Sequence, residues 1–265
     1  MMSPDRHPGR GRAIGLADAT AVVLAGAVAP RPVASVPSRP VEGASRSIVT
    51  RQLDRLCAAG VGRIVVCTSH TGKHIWSALG PTYRGHRLTY ALEPRRLDSG
   101  GALRRALPVL IGDPLLVVRA DAHVDVDFEA LWARHAERRA SATIVVTHVE
   151  DASRSRGVIV DHDDHVQSFV EAGEAATPGW VSAGVYVLSR VVISTTPLGV
   201  ALCLEREVLP GWIGRGLYAD RAARRAIETA APAINAAPGR HRHRHRRRRR
   251  HGGSPPAMRE PRTLN

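Results

Sequence analysis

The sequence predicts an α/β protein built on a doubly wound, mixed β-sheet. Three observations carry that expectation. Short apolar runs bounded by turn residues alternate with segments of helical periodicity through the first half, as in parallel βαβ units. The second half changes to successive strand-like runs separated by turn signals. A chain of 265 residues with 43% hydrophobic content is long and apolar enough for one sizeable core. Aromatic residues supply only 4%, so that core must be Val, Leu, Ile and Ala.

Residues 1–17 are rich in Arg, Gly and Pro and read as a disordered extension. Thr20–Ala25 reads as a buried first strand. Ser47–Ala59 is a helix with Ile48, Leu53 and Leu56 on one face, stopped by Gly60. Arg63–Thr68 is a strand, Thr71–Leu79 a helix and Arg87–Leu92 a strand. Gly100–Leu107 is a helix ended by Pro108, and Pro114–Arg119 is again a buried strand. Phe128–Arg138 is a helix carrying Leu131, Trp132 and His135 on one side, with Asp127 as its N-cap. Ala142–Val149, Gly157–Asp161, Val166–Val170 and Trp180–Leu188 are strands. The polar run Asp161–His165 is a hairpin turn rather than a set of metal ligands, and Glu205–Ile213 is a late helix. The result is a Rossmann-like half followed by a mixed-sheet half. The folded domain spans 18–218, and 219–265 is an Arg/His/Pro-rich tail with no strand pattern.

The formal net charge of +14 does not describe a basic face. Arg240–His251 holds eight arginines and no acid, which leaves +6 for the rest. Nucleic-acid binding is therefore expected only as non-specific retention by that tail. Lys73 is the single lysine. Cys57, Cys67 and Cys203 lack metal-ligand spacing and read as small buried hydrophobes in a reducing compartment. The apolar part of the N-terminal run, Ala21–Ala29, is short and fits a strand better than a signal peptide. No stretch approaches the roughly 20 apolar residues of a membrane span, and the expected location is the cytoplasm.

Candidate chemistry lies in loops at the carboxyl ends of the strands. After Leu24-Ala25-Gly26, a small-residue turn lets backbone N–H groups approach phosphates, and Arg31 can supply a fixed cation. Asp98-Ser99-Gly100-Gly101 opens a helix, with Ser99 able to cap it and the glycines permitting close approach of a base or ribose. Asp121, after an apolar strand, is placed to hold Mg²⁺ on a triphosphate.

Taken in order, Leu24-Ala-Gly26, Arg31, Pro37, the Glu93-Pro run into Ser-Gly-Gly-Ala-Leu103, Ala120-Asp121, Phe169-Val-Glu-Ala-Gly173 and Ser182-Ala-Gly-Val-Tyr-Val-Leu188 resemble sugar-1-phosphate nucleotidyltransferases. The likeness covers about 19–218 and is nearest the branch that activates heptose or mannose, which makes GTP the favoured nucleotide. The resemblance implies a GT-A-like fold and transfer of a nucleotidyl group from an NTP to a sugar 1-phosphate, with Mg²⁺ as cofactor and pyrophosphate as leaving group. It implies that Leu24, Ala25, Gly26, Ser99, Gly100 and Gly101 line the nucleotide. Arg31 would act on the phosphates, Asp121 would bind metal, and Glu171, Ser182 and Gly184 would face the sugar phosphate. The chain departs from the family pattern in its first loop, Gly26-Ala-Val-Ala-Pro-Arg31, in Ser38 where a lysine is expected, in Ala172 for another lysine, and in Ser182 for an asparagine. No terminal Asp-x-Gly follows Tyr218. The alternative these departures leave open is a non-catalytic homologue that binds a nucleotide or nucleotide-sugar.

Overall fold

The structure, a computed structural model, describes residues 15–26, 48–69, 73–122, 124–153, 155–174, 178–221 and 224–226. Its frame is a mixed sheet. The parallel core consists of β1 (Thr20–Leu24), β2 (Arg63–Ser69), β4 (His86–Glu93) and β5 (Leu115–Arg119), with β1 between β2 and β5. A two-residue strand, β3 (Thr82–Tyr83), closes the β4 edge. Beyond β5 the direction reverses. β10 (Gly179–Leu188) runs antiparallel to β5 and to β7 (Ala142–Val149), and β11 (Leu217–Asp220) ends the sheet parallel to β7. The hairpin β8 (Gly157–Val160) and β9 (Val166–Val170) hangs from β10 around the turn expected at Asp161–His165. β6 (Val124–Asp125) and β12 (Arg224–Ala226) form a separate small pair.

Strands buried on both faces must be largely apolar, and β1 and β5 are apolar but for Thr20 at the start of one and Arg119 at the end of the other. Leu115, Leu116, Val117 and Val118 have no exposed surface. One face is covered by α1 (Ile48–Ala58), which contributes Val49, Leu53 and Leu56, and by α4 (Phe128–Glu137), which contributes Phe128, Leu131 and Trp132. The other is covered by α3 (Asp98–Ala106), α5 (Arg190–Ser194) and the segment around Leu204 and Leu209. Helices on both faces give the doubly wound arrangement that the sequence predicts. Asp127 caps α4, its carboxylate accepting from the Ala130 N–H at 3.0 Å. His135 is buried against Thr143, with Nδ1 2.8 Å from the hydroxyl, and burial pulls its pKa down to about 4.

Four expectations need correction. Leu16, assigned to the N-terminal extension, is buried in a short 3₁₀ turn before β1. The late helix is a π-type turn, Leu204–Val208, followed by a 3₁₀ turn, Leu209–Trp212. Pro210 explains this, because it has no N–H for an α-helical bond and its ring would strike the carbonyl of Arg206. The tail does not begin at 219: β11 runs through Asp220, whose carboxylate takes Arg134 Nε at 2.7 Å, and β12 follows. Of the cysteines, Cys67 is fully buried, but Cys57 and Cys203 are only partly so. No helix among the described residues is long and apolar enough to cross a membrane.

Leu116→Ala is expected to cost about 2–5 kcal/mol, because it opens a cavity between two helical layers. Leu198→Ala, at a site 60% exposed, should stay within about 0.5 kcal/mol. Urea denaturation of the two variants checks the contrast.

Candidate functional site

Because β1, β2, β4 and β5 share a direction, their last residues reach one edge of the sheet. Gly26, Ser69, Glu93 and Asp121 therefore follow or end neighbouring strands. The antiparallel β10 brings Gly184 to the same edge beside Arg119. Leu24 and Ala25 are buried and committed to the sheet: the Leu24 carbonyl accepts from Ala120 N at 3.0 Å, and Ala25 N donates to Cys67 O at 2.8 Å. Gly26 follows them. Arg31, with Pro37, Ser38 and Arg39, lies outside the described residues.

Glu93 is the group the residue patterns missed as a site residue. It ends β4 with 2% exposure. Its Oε2 accepts from the Leu97 N–H at 2.9 Å, while Oε1 is buried without a hydrogen-bond partner among the described residues. A Cβ built on Gly26 would lie 2.8 Å from that Oε1, so the bare glycine is what lets the carboxylate approach the first loop. Burial raises the Glu93 pKa, only partly offset by the Leu97 hydrogen bond.

The glycine pair has a different explanation from the one expected. α3 starts at Asp98, with Leu97 in the cap position, so Ser99 is not its cap. The Ser99 hydroxyl instead accepts from Leu204 N at 2.8 Å. Gly100 and Gly101 are buried, and both donate to the Leu202 carbonyl, at 2.7 and 3.2 Å. A Cβ on Gly101 would lie 2.3 Å from the Val200 carbonyl. Here the missing side chains admit another stretch of this chain.

Asp121 sits on a loop tied from below by Gln52, a buried residue of α1 whose amide donates to the Ala122 carbonyl at 2.5 Å. Its carboxylate is taken by Arg119 through two bonds, Nε to Oδ1 at 3.0 Å and Nη2 to Oδ2 at 2.7 Å. Burial works against the Arg119 guanidinium, but the neighbouring Asp121 and Glu205 carboxylates favour the charged form. The arginine side chain runs over Gly184, where a Cβ would lie 3.2 Å from both Arg119 Cβ and Cδ. Gly184 also has φ +75°, where β10 slips register between Ser182 and Tyr186. Ser182 Oγ accepts from Gly184 N at 3.2 Å and lies 3.3 Å from the Tyr186 hydroxyl, which donates to buried Glu205.

Glu171 follows β9 and is held by Arg156 through two bonds, with Arg206 Nε 4.0 Å away. The Arg156 hydrogen bonds lower its pKa. Two guanidinium groups thus flank Glu171, the neighbour of Ala172, where the resemblance expects a lysine. Asp125 is exposed and ion-paired with Arg55 at 4.0 Å, and Asp127 caps α4, so that acidic pair has structural partners. No group of three or more His, Cys, Asp or Glu among the described residues could hold a metal.

A family model described as nucleotidyl transferase matches residues 21–198. The chain belongs to that nucleotidyl transferase family. It is 30% identical over 183 residues to a mannose-1-phosphate guanylyltransferase of Mycobacterium tuberculosis, covering 69% of this chain and 51% of that protein. A mannose-1-phosphate guanyltransferase of Gibberella zeae is 30% identical over 186 residues, with 68% and 50% covered. The chain thus spans about half the length of these curated relatives. The fold of this chain is shared with HddC from Yersinia pseudotuberculosis, crystallised with GMP-PN, at a TM-score of 0.62 and 23% identity over 77% of this chain and 90% of that one.

The buried acid makes a pH prediction for this family member. The pKa of Glu93 is raised on folding, so charging it disfavours the folded state as pH climbs from the ordinary carboxylate value, 4.5, through the raised one. Glu93→Gln should therefore be more stable than the parent at pH 7.5, with the gap closing below about pH 4.5. Urea midpoints at the two pH values test it, and a gap that widens in acid contradicts the reading.

Proposed function

We propose that this chain transfers a nucleotidyl group from an NTP, with GTP favoured, to a sugar 1-phosphate and releases pyrophosphate. The observation that supports it most is Glu93: a buried carboxylate oxygen, without a hydrogen-bond partner among the described residues, set against the glycine that ends the first strand's turn. Guanine offers two adjacent donors, N1–H and the 2-amino group, to such an acceptor. Uracil and thymine offer one, and adenine places an acceptor at N1. A site built to satisfy a buried polar atom discriminates strongly against a ligand that leaves it unpaired. The names of the curated relatives point the same way on base and sugar.

On this reading the base sits by Glu93 and Gly26, with the phosphates towards Arg31 and Arg119. The sugar phosphate lies towards Ser182, Gly184 and Glu171, where Arg156 and Arg206 offset its charge. The sugar phosphate oxygen attacks the α-phosphorus in line, the bond to the β-phosphate oxygen breaks, and pyrophosphate leaves. The chain's contribution is positioning and charge neutralisation. Mg²⁺ was expected at Asp121. The described donor set does not fit a resident divalent cation, since it offers one carboxylate and Arg119 occupies both its oxygens. Cytoplasmic location is part of the proposal, supported by three free cysteines.

Pyrophosphate release should be measured with GTP, ATP and UTP against mannose and heptose 1-phosphates. Release with GTP is expected, and Glu93→Gln should cut the preference for GTP over ATP by about tenfold or more. Gly184→Ala should lower turnover by roughly 100-fold, because both the backbone and Arg119 must shift. No release with any pair, or an unchanged preference in Glu93→Gln, contradicts the proposal.

A further inference from the structure

We propose that Arg119 is a phosphate-binding cation at the centre of this site, parked on Asp121 until a nucleotide arrives, so that this chain captures NTP without a divalent ion. The inference rests on the nucleotidyl-transfer reading above and assigns a residue to phosphate capture that the residue patterns did not single out.

Three observations converge on it. The first is position. Arg119 pairs with Leu24 across β1 and β5, and its side chain passes over Gly184 from β10. It therefore stands between the end of β1 and the Ser182–Gly184 turn of β10, where the proposal puts the phosphate oxygens.

The second is unused bonding capacity. A guanidinium carries five N–H donors, and Asp121 takes bonds only from Nε and Nη2. The arginine side chain is 28% exposed and the aspartate 46%, so a ligand can reach both. The pair thus differs from Arg134–Asp220, whose aspartate side chain is 3% exposed. Planar, two-point recognition of phosphate is what an arginine fork does well.

The third is competition. A divalent cation on Asp121 would share oxygens that the guanidinium already holds, beside a fixed positive charge that opposes it. Because Arg119 is tethered two residues away, its effective concentration at Asp121 is high. Behind it lies the Glu205 carboxylate, which receives the Tyr186 hydroxyl and favours the guanidinium's positive charge.

Binding measurements on the full chain test this separately from turnover. GTP is titrated by calorimetry in EDTA and in Mg²⁺, and Mn²⁺ alone is titrated as the metal probe. The parent should bind GTP in EDTA within about threefold of its affinity in Mg²⁺, and should bind Mn²⁺ alone weakly. Arg119→Ala should weaken metal-free GTP binding at least tenfold and tighten Mn²⁺ binding at least tenfold. Asp121→Asn, which frees the arginine, should hold or tighten metal-free GTP binding. Thermal melts establish that each variant folds, and Arg119→Lys, keeping charge without the fork, should fall between parent and alanine. Parent binding that requires Mg²⁺ overturns the proposal while leaving nucleotidyl transfer standing. So does an Arg119→Ala variant that binds GTP in EDTA like the parent, or an Asp121→Asn variant that folds and loses metal-free binding. A parent that binds no NTP under either condition removes both readings.

Discussion

The register between β1 and β5 is the constraint on which the site depends. It pairs Thr20 with Leu115 and Leu24 with Arg119, with the apolar residues between them buried. A slip of one residue would turn every side chain on either strand to the opposite face of the sheet. Arg119 would then leave the face it shares with Leu24 and Tyr186, and the Asp121 loop would lose its anchor on Leu24. The chemistry at the edge is therefore fixed by hydrophobic burial several residues away. Loop residues need no strong preference of their own to be placed to within a fraction of an ångström.

The edge treats its acids in opposite ways, and the difference follows from what each is packed against. Glu93 is enclosed by the first turn and the start of α3, with one backbone N–H for two oxygens. Asp121 and Glu171 are more open, and each is met by an arginine fork. An exposed carboxylate beside a guanidinium keeps its charge, and the pair can open and re-form at small cost. A buried carboxylate with an unpartnered oxygen is costly until a donor arrives. The same residue class can thus serve discrimination at one end of the site and exchangeable charge at the other.

Much of the frame was legible in the sequence, because period-2 and period-3.6 patterning reports burial directly. The strands from Thr20 to Leu188 and the capped helix after Asp127 follow from that patterning. The elements it missed are those whose stability is not periodic. β3 and β6 are two residues long, and β11 follows a glycine turn after a segment whose helical pattern Pro210 disrupts. Asp121 stood out as a carboxylate after an apolar strand, but Arg119 did not. Its role depends on β10 lying alongside β5 in the opposite direction, a neighbour some 65 positions later that no local window contains. Glu93 was visible in the sequence as part of a run, yet its unpartnered oxygen is a property of the packed state alone.

The glycines show why one sequence signal carries two meanings. A missing Cβ tells only that something approaches the backbone closely. At Gly26 that something is a carboxylate, at Gly184 an arginine stem, and at Gly101 a carbonyl of the crossing segment at Val200. The last case matters for the proposed site all the same. Leu202 accepts from both Gly100 and Gly101, and Leu204 N donates to Ser99, so the start of α3 and the Leu204–Val208 turn are stitched together. That turn carries Glu205, which receives the Tyr186 hydroxyl. The glycine pair therefore acts on the site through the polar residues behind Arg119, and a side chain introduced there would disturb charge at the edge before it touched any ligand.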